Sequence, residues 1–206
     1  MKLYFAPGAC SLSPHIVLRE AGIDVALERV DLAKGEIVAS GVPFKQVNPK
    51  GYVPALDLGN GNVLTEGAAM VQHLADTHPD AGLAAPAGTV ERARINEWLT
   101  FLSSELHKAF SPLFSPACGE PAKSDAIAKV TGRLAFVESV LADGRDYLTG
   151  PRFTIADAYL FTLANWTGPT GIGLEAYPSL TAYQARVASR PAVQAALEAE
   201  GLLQAA

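Results

Sequence analysis

Cys10 carries the sharpest chemical signal in this 206-residue chain. It follows Pro7-Gly8-Ala9 and precedes Ser11-Leu12-Ser13-Pro14. Ser13 followed by Pro14 reads as an N-cap and a first helical position, which sets Cys10 just ahead of a helix. Unpaired N–H groups and the positive end of the helix dipole stabilise a thiolate at such a place. A lowered thiol pKa makes a cysteine nucleophilic near neutral pH. The same position also suits a small buried hydrophobe, a common fate of free cysteine. The spacing Cys10-Ser11-Leu12-Ser13 offers no second thiol, so dithiol cycling inside this segment is excluded. A mixed disulfide, or binding of an outside thiol, stays open. The Ser11 and Ser13 hydroxyls suit either a bond to a bound thiolate or helix capping.

Two further groups share polar chemistry. Thr100, Ser104 and Lys108 recur every four residues, as do Ser103 and His107. They lie off an apolar stripe of Trp98, Leu102, Leu106, Ala109 and Leu113, so one helix has a core side and a polar side. That polar side suits a small anionic ligand or plain solvent. The run Asn48-Pro49-Lys50-Gly51-Tyr52-Val53-Pro54 places a proline at the start of a strand, where a cis peptide fits a tight turn. The Val53 N–H and C=O would then face a peptide-like ligand along the sheet edge. Glu66-Gly67 opens the next helix, pairing a carboxylate with free N–H groups, a match for the amino-acid end of a peptide. An ordinary strand start and helix start explain the same residues.

The elements that must position these groups fall into two regions. Residues 3–5 read as a buried strand, 14–21 as a helix ended by Gly22, and 25–30 as a second strand, parallel to the first through a right-handed crossover. Residues 31–50 read as a loop with one short helix. Strands at 53–56 and 63–65 flank the turn Gly59-Asn60-Gly61-Asn62, and a helix comes next. This order, βαβαββα, is that of thioredoxin. A linker at 81–88 separates this 1–80 domain from an all-helical 89–206 domain. There Thr89 caps a helix reaching about residue 110, residues 121–141 form a second, and Thr154-Ile155-Ala156-Asp157 has capping-box form. Pro178 and Pro191 start two more.

Composition narrows the function classes. Hydrophobic residues make up 49% and charged residues 18%, so a packed core is expected, and the net charge of −5 without a basic run argues against nucleic-acid binding. No apolar run reaches the roughly 18 residues that span a bilayer. A cytoplasmic protein with two free thiols, Cys10 and Cys118, is expected. His15, His73 and His78 show no metal-ligand spacing, and no phosphate loop or dinucleotide fingerprint is present.

The segments Met1-Lys2-Leu3-Tyr4, Gly8-Ala9-Cys10-Ser11-Leu12, the run from Val47 to Leu56, Leu64-Thr65-Glu66-Gly67 and Glu105-Leu106-His107-Lys108-Ala109-Phe110 resemble the bacterial beta-class glutathione S-transferases. So does Phe153-Thr154-Ile155-Ala156-Asp157-Ala158-Tyr159-Leu160. The resemblance covers nearly the whole chain. It implies a thioredoxin-like glutathione domain, an all-helical domain and a homodimer. It implies that Cys10 lies at the glutathione sulfur with Ser11, that His107 and Lys108 reach the same sulfur, and that Val53 and Pro54 hold the cysteinyl unit. Glu66 and Gly67 match the γ-glutamyl contacts, and Thr100 and Ser104 the partner-helix contacts. Lys34 stands near the family's lysine for the glycyl carboxylate, one place early. Tyr4-Phe5 leaves no hydroxyl at the second position, so Tyr4 reads as core. The activity implied is transfer of glutathione, a co-substrate rather than a cofactor, to a hydrophobic electrophile in a cleft between domains, with Leu113, Phe114 and Trp166 as its lining. Thiol–disulfide exchange through a Cys10 mixed disulfide, or a non-catalytic binding protein of the same fold, are the alternatives.

Overall fold

The computed structural model describes residues 1–59 and 61–203. The chain divides into two compact units, residues 1–84 with 189–206, and residues 85–188.

The first unit is built on a mixed sheet of order β3-β2-β1-β4-β5. β1 (Lys2–Phe5) pairs parallel with β2 (Ala26–Asp31), with Leu3 opposite Leu27. On its other edge β1 pairs antiparallel with β4 (Ala55–Gly59), with Leu3 opposite Leu56. β3 (Glu36–Ile37) and β5 (Asn62–Thr65) complete the edges, both antiparallel to their neighbours. Strand residues alternate between faces. Tyr4, Val30 and Ala55 therefore share a core with Phe44 on one face. Tyr4 packs on Phe44 at 5.6 Å and serves the core, as its position suggests. Helices α1 (Leu12–Glu20) and α2 (Gly67–Thr77) pack on one another, burying Ile16, Val17, Met70, Val71 and Leu74.

Three sequence expectations shift. The helix between the second and third strands shrinks to one 3₁₀ turn, Phe44–Gln46, preceded by the two-residue β3. The cause is local: Asp31 Oδ1 accepts from the Ala33 and Lys34 amides in a tight turn, and Gly35, Gly41 and Pro43 interrupt any helical run. The first helix begins at Leu12, so Ser13 and Pro14 lie inside its first turn, and Ser13 is not the cap. The last helix leaves the helical region: Pro191–Ala199 clusters with the first unit. The expected turn at 59–62 includes Asn60, which lies outside the described residues.

The second unit is helical. Thr89 caps α3 (Val90–Phe101), its hydroxyl oxygen accepting from the Arg92 amide at 3.2 Å. The expected continuous helix is interrupted by a π turn at Leu102–Leu106, where the His107 N–H reaches back five residues to the Leu102 carbonyl. The Ser103 and Ser104 hydroxyls both donate to the Thr100 carbonyl at the entrance to this wide turn. The short α4 (His107–Phe110) comes next, and α5 is Glu120–Leu141. Such a turn inserts about one residue, rotating the later side chains by roughly 100° about the helix axis. The buried stripe is accordingly Ile95, Leu99, Leu102, Leu106, Ala109 and Phe110, with Trp98 and Leu113 only half-buried. α6 (Ile155–Ala164) is buried along all ten residues and forms the centre of this unit. α7 spans Pro178–Ala188 and α8 Pro191–Ala199.

Candidate functional site

In the first unit, one loop, one strand start and one helix start converge. Pro7 to Ser11 turn from β1 into α1, with Gly8 at φ +70°, a left-handed value that glycine adopts without a Cβ penalty. Ser11 is fully buried; its hydroxyl donates to the Ala6 carbonyl, and its oxygen accepts from the Ala6 amide, both at 3.2 Å. Its single proton is therefore committed to the loop. Ser11, expected as a donor to sulfur, instead staples the turn that carries Cys10. Ser13 Oγ is buried with no partner among the described residues.

Cys10 is half-buried, and its thiol donates to the Val53 carbonyl at 3.2 Å. The Val53–Pro54 peptide is cis, as the proline at a strand start suggests. Buried Asn48 organises the approach: its side-chain amide donates to the Tyr52 carbonyl at 2.7 Å, and its carbonyl oxygen Oδ1 accepts from the Lys50 amide. Gly51 sits at φ +76°, and a Cβ added there would crowd Lys45 Cε at 3.1 Å. Pro54 in turn faces Gly67, where an added Cβ would sit 3.8 Å from the proline ring.

Glu66 is the only non-glycine among the described residues with positive φ, at +68°. Strained backbone of this kind tends to collect at working sites. The turn leaves the first amides of α2 without helical partners and keeps the Glu66 carboxylate exposed. Lys50 Nζ and the Tyr52 hydroxyl both donate to Glu66 Oε1, and Lys50 also reaches Thr65 Oγ1 at 3.0 Å. The hydrogen bond to Glu66 holds the Lys50 ammonium above its usual range. Desolvation, then the Glu66 bond, raises the Tyr52 phenol. Cys10, Val53, Pro54, Glu66 and Gly67 are thus brought together as read from sequence. Lys50 and Tyr52 were missed as site members; their signal was the carboxylate at Glu66, which needs a cation and a donor. Lys34, read from sequence as a site residue, is exposed, and its ammonium has no partner among the described residues.

The second unit carries its own group. His107 Nδ1 lies 2.8 Å from the Tyr159 hydroxyl. Its ring meets Trp166 edge-on at 4.9 Å, and Trp166 also contacts Phe110 and Phe114. Phe114 is half exposed while Trp166 is buried, so the expected lining residues border an aromatic wall. Tyr159 lies on α6, whose capping box is present: Asp157 Oδ2 accepts from the Thr154 amide at 2.7 Å and from its hydroxyl at 2.8 Å. Asp157 Oδ1 accepts from the Leu148 amide and the Tyr183 hydroxyl. Thr100, Ser104 and Lys108 are exposed, but the π turn breaks their common line; the Thr100 and Ser104 hydroxyls donate to their own helix. Among the described residues, no three His, Cys, Asp or Glu side chains are grouped to hold a metal ion. No helix among them is long and apolar enough to cross a membrane.

Comparison with known proteins gives this arrangement its context. A profile of the glutathione S-transferase N-terminal domain matches residues 8–77, and one of the C-terminal domain matches residues 101–191. Glutathione S-transferase GstA of Escherichia coli O157:H7 is 47% identical over 202 residues, covering 98% of this chain and all of that one. A sphingomonad glutathione S-transferase, solved in complex with glutathione, shares 49% identity with a TM-score of 0.93, covering 98% of this chain and 100% of that one. A bacterial beta-class enzyme from Sphingomonas chungbukensis shares 47% identity with a TM-score of 0.94 at the same coverage. With both domains matched and both chains covered almost end to end, this chain belongs to the glutathione S-transferase family and is similar to its bacterial beta class.

Proposed function

We propose that the first unit binds glutathione along the line from Cys10 through Val53 to Glu66. One observation carries the reading: the Cys10 thiol lies on the Val53 carbonyl, with the Glu66 carboxylate, on a backbone of positive φ, and a helix N-terminus at the far end of the same run. In this reading the cysteinyl unit pairs with the Val53 backbone, its sulfur beside Cys10. Pro54 flanks it. The free amides from Gly67 onward receive the γ-glutamyl carboxylate, and Glu66 receives its amine. Lys50 and Tyr52 aim the Glu66 carboxylate through their hydrogen bonds to Oε1.

The transfer then runs as nucleophilic attack by the glutathione thiolate. The thiol gives up its proton to water, sulfur bonds to the electrophilic carbon, and the leaving group departs with its electron pair or the adduct takes a proton back from water. Each pKa unit by which the site lowers that thiol is worth about 1.36 kcal/mol of preference for the anion. On the second unit, the polar groups of His107 and Lys108 border an aromatic wall of Phe110, Phe114 and Trp166 that suits a hydrophobic electrophile. Ser11 acts through the loop. Thr100 and Ser104 face a second copy of the chain in a homodimer. A cytoplasmic location, and glutathione as co-substrate without a metal or cofactor, complete the proposal.

Calorimetry with glutathione tests it. Millimolar or tighter binding is expected, weakened about tenfold by Glu66→Gln, since a charged acceptor becomes a neutral one. No detectable binding at millimolar glutathione overturns it and favours a non-catalytic fold relative. Cys10→Ala separates transfer from exchange: conjugation survives in part, whereas mixed-disulfide exchange vanishes. Sedimentation at micromolar concentration is expected at twice the 21.6 kDa chain mass; a monomer there removes the dimer.

A further inference from the structure

His107 is the first residue of α4, set just past the π turn at Leu102–Leu106. Turns of this kind inside helices recur at working sites. Without it the His107 side chain would be rotated by roughly 100° about the helix axis. As built, the ring meets two partners in its own unit. Trp166 lies edge-on at 4.9 Å, and the Tyr159 ring stands perpendicular at 6.0 Å. The Tyr159 hydroxyl is 2.8 Å from His107 Nδ1. Tyr159 is held firmly: only 4% of it is exposed, and it lies on α6, the helix buried along its whole length. Asp157, two positions earlier, closes the capping box of α6 and accepts from the Tyr183 hydroxyl. The phenol is thus a fixed point against which the imidazole is set.

The proton of this bond has a preferred place. A phenol is a stronger acid than a neutral imidazole N–H, and an imidazole nitrogen is a stronger base than a phenol oxygen. The hydroxyl therefore donates and Nδ1 accepts. A neutral imidazole carries one N–H, so the His107 proton lies on Nε2. The ring beside Trp166 then offers a donor, where the other tautomer would offer a lone pair. During transfer the negative charge moves from sulfur onto the electrophile as the new bond forms. An N–H already in place beside the aromatic wall stabilises that charge without reorganising. We propose that Tyr159 is a positioning residue for the transfer, fixing His107 as an Nε2–H donor at the wall of Phe110, Phe114 and Trp166. His107 keeps its proton throughout and lends only a hydrogen bond. The role in transfer rests on the transferase reading above; the tautomer does not.

The test uses the full chain, Tyr159→Phe, His107→Ala and the double variant. Nitrogen-15 spectra of the imidazoles are taken at about pH 8, where histidine is neutral. The chain has four histidines, and the His107 signals are those lost in His107→Ala. The parent is expected to show the Nε2–H tautomer. Tyr159→Phe should move the tautomer ratio toward Nδ1–H by about threefold to tenfold, the scale of one neutral hydrogen bond. Conjugation of glutathione to chlorodinitrobenzene gives the second readout. Tyr159→Phe should lower kcat/KM by about threefold to tenfold, and should cost nothing further in the His107→Ala background. An Nδ1–H tautomer in an active parent overturns the proposal alone. So does an unchanged ratio or an unchanged kcat/KM in folded Tyr159→Phe, or a loss of the same size in the His107→Ala background; each leaves Tyr159 as a packing residue of α6. A parent that shows the Nε2–H tautomer but transfers no glutathione overturns the transferase reading, and the proposal with it. If Tyr159→Phe does not fold, the parent tautomer decides: Nε2–H supports the proposal, and Nδ1–H overturns it.

Discussion

The two polar centres of this molecule are held by different means. Around Cys10 the groups that matter sit on turns: a glycine at φ +70°, a glutamate at φ +68°, and a cis proline. Buried polar side chains, Ser11, Asn48 and Glu200, pin the backbone between them. Around His107 the groups sit on helices, held by aromatic edges and by one hydroxyl from α6. The first centre is specified by backbone hydrogen bonds and is sensitive to single polar atoms. The second is specified by packing and fails when its central helix fails. A site for peptide-like recognition suits the first construction, because turns present unpaired amides and carbonyls. A surface for varied apolar groups suits the second.

The contrast can be broken most severely at Asp157. Asp157→Ala leaves the Leu148 amide, the Thr154 amide and the Tyr183 hydroxyl without their interior acceptor. A loss of about 3–5 kcal/mol is expected, read as a melting temperature lower by about 10 °C. A shift within about 2 °C would show that α6 does not depend on its cap. Next comes Ser11→Ala, which strips both Ala6 bonds from a fully buried turn. A cost of about 1–3 kcal/mol is expected in denaturant unfolding, with the second unit's aromatic fluorescence unchanged in the native state. Equal disturbance of Trp166 fluorescence would deny that the two centres are separately built.

Tyr159→Phe sharpens the comparison from the other side. It keeps the ring and removes only the oxygen on His107 Nδ1, so stability should fall by about 1 kcal/mol or less. The nitrogen-15 resonance of Nδ1 should nonetheless move, and an unmoved signal would deny the bond. The smallest effect belongs to a surface pair that serves neither centre. The Arg145 guanidinium, bonded to Asp143, holds that carboxyl down to about 2. Its folded pKa lies below the ordinary 3.8, so its contribution is complete above that value and is lost as pH falls through about 2. Asp143→Asn should therefore reduce stability slightly at neutral pH and not at all below pH 2. An equal loss at both would assign the effect to something other than the charge.

The reach of the sequence depends on distance along the chain. Cys10, Val53, Pro54, Glu66 and Gly67 announced themselves because glycine, proline and helix-start signals act over a few residues. The caps at Thr89 and Thr154 with Asp157 were visible for the same reason. The π turn at Leu102–Leu106 was not, since its apolar residues keep ordinary helical spacing and the disturbance lies in the backbone ladder. The first helix was misplaced by two residues because Ser13-Pro14 imitates a cap, whereas Ser11 spends its hydroxyl on Ala6. Lys50 with Glu66 spans 16 positions and Glu200 with His15 spans 185. No local pattern encodes such pairs; the sheet and the return of α8 create them.

The central claim is that the line from Cys10 to Glu66 receives a tripeptide with its sulfur at the cysteine. A crystal of the protein grown with glutathione measures this directly. The account predicts density along β4, the cysteinyl unit paired with the Val53 backbone, the sulfur against Cys10 and the γ-glutamyl end at Glu66 and Gly67. A tripeptide bound elsewhere, or lying in this groove with its sulfur turned away from Cys10, would contradict it.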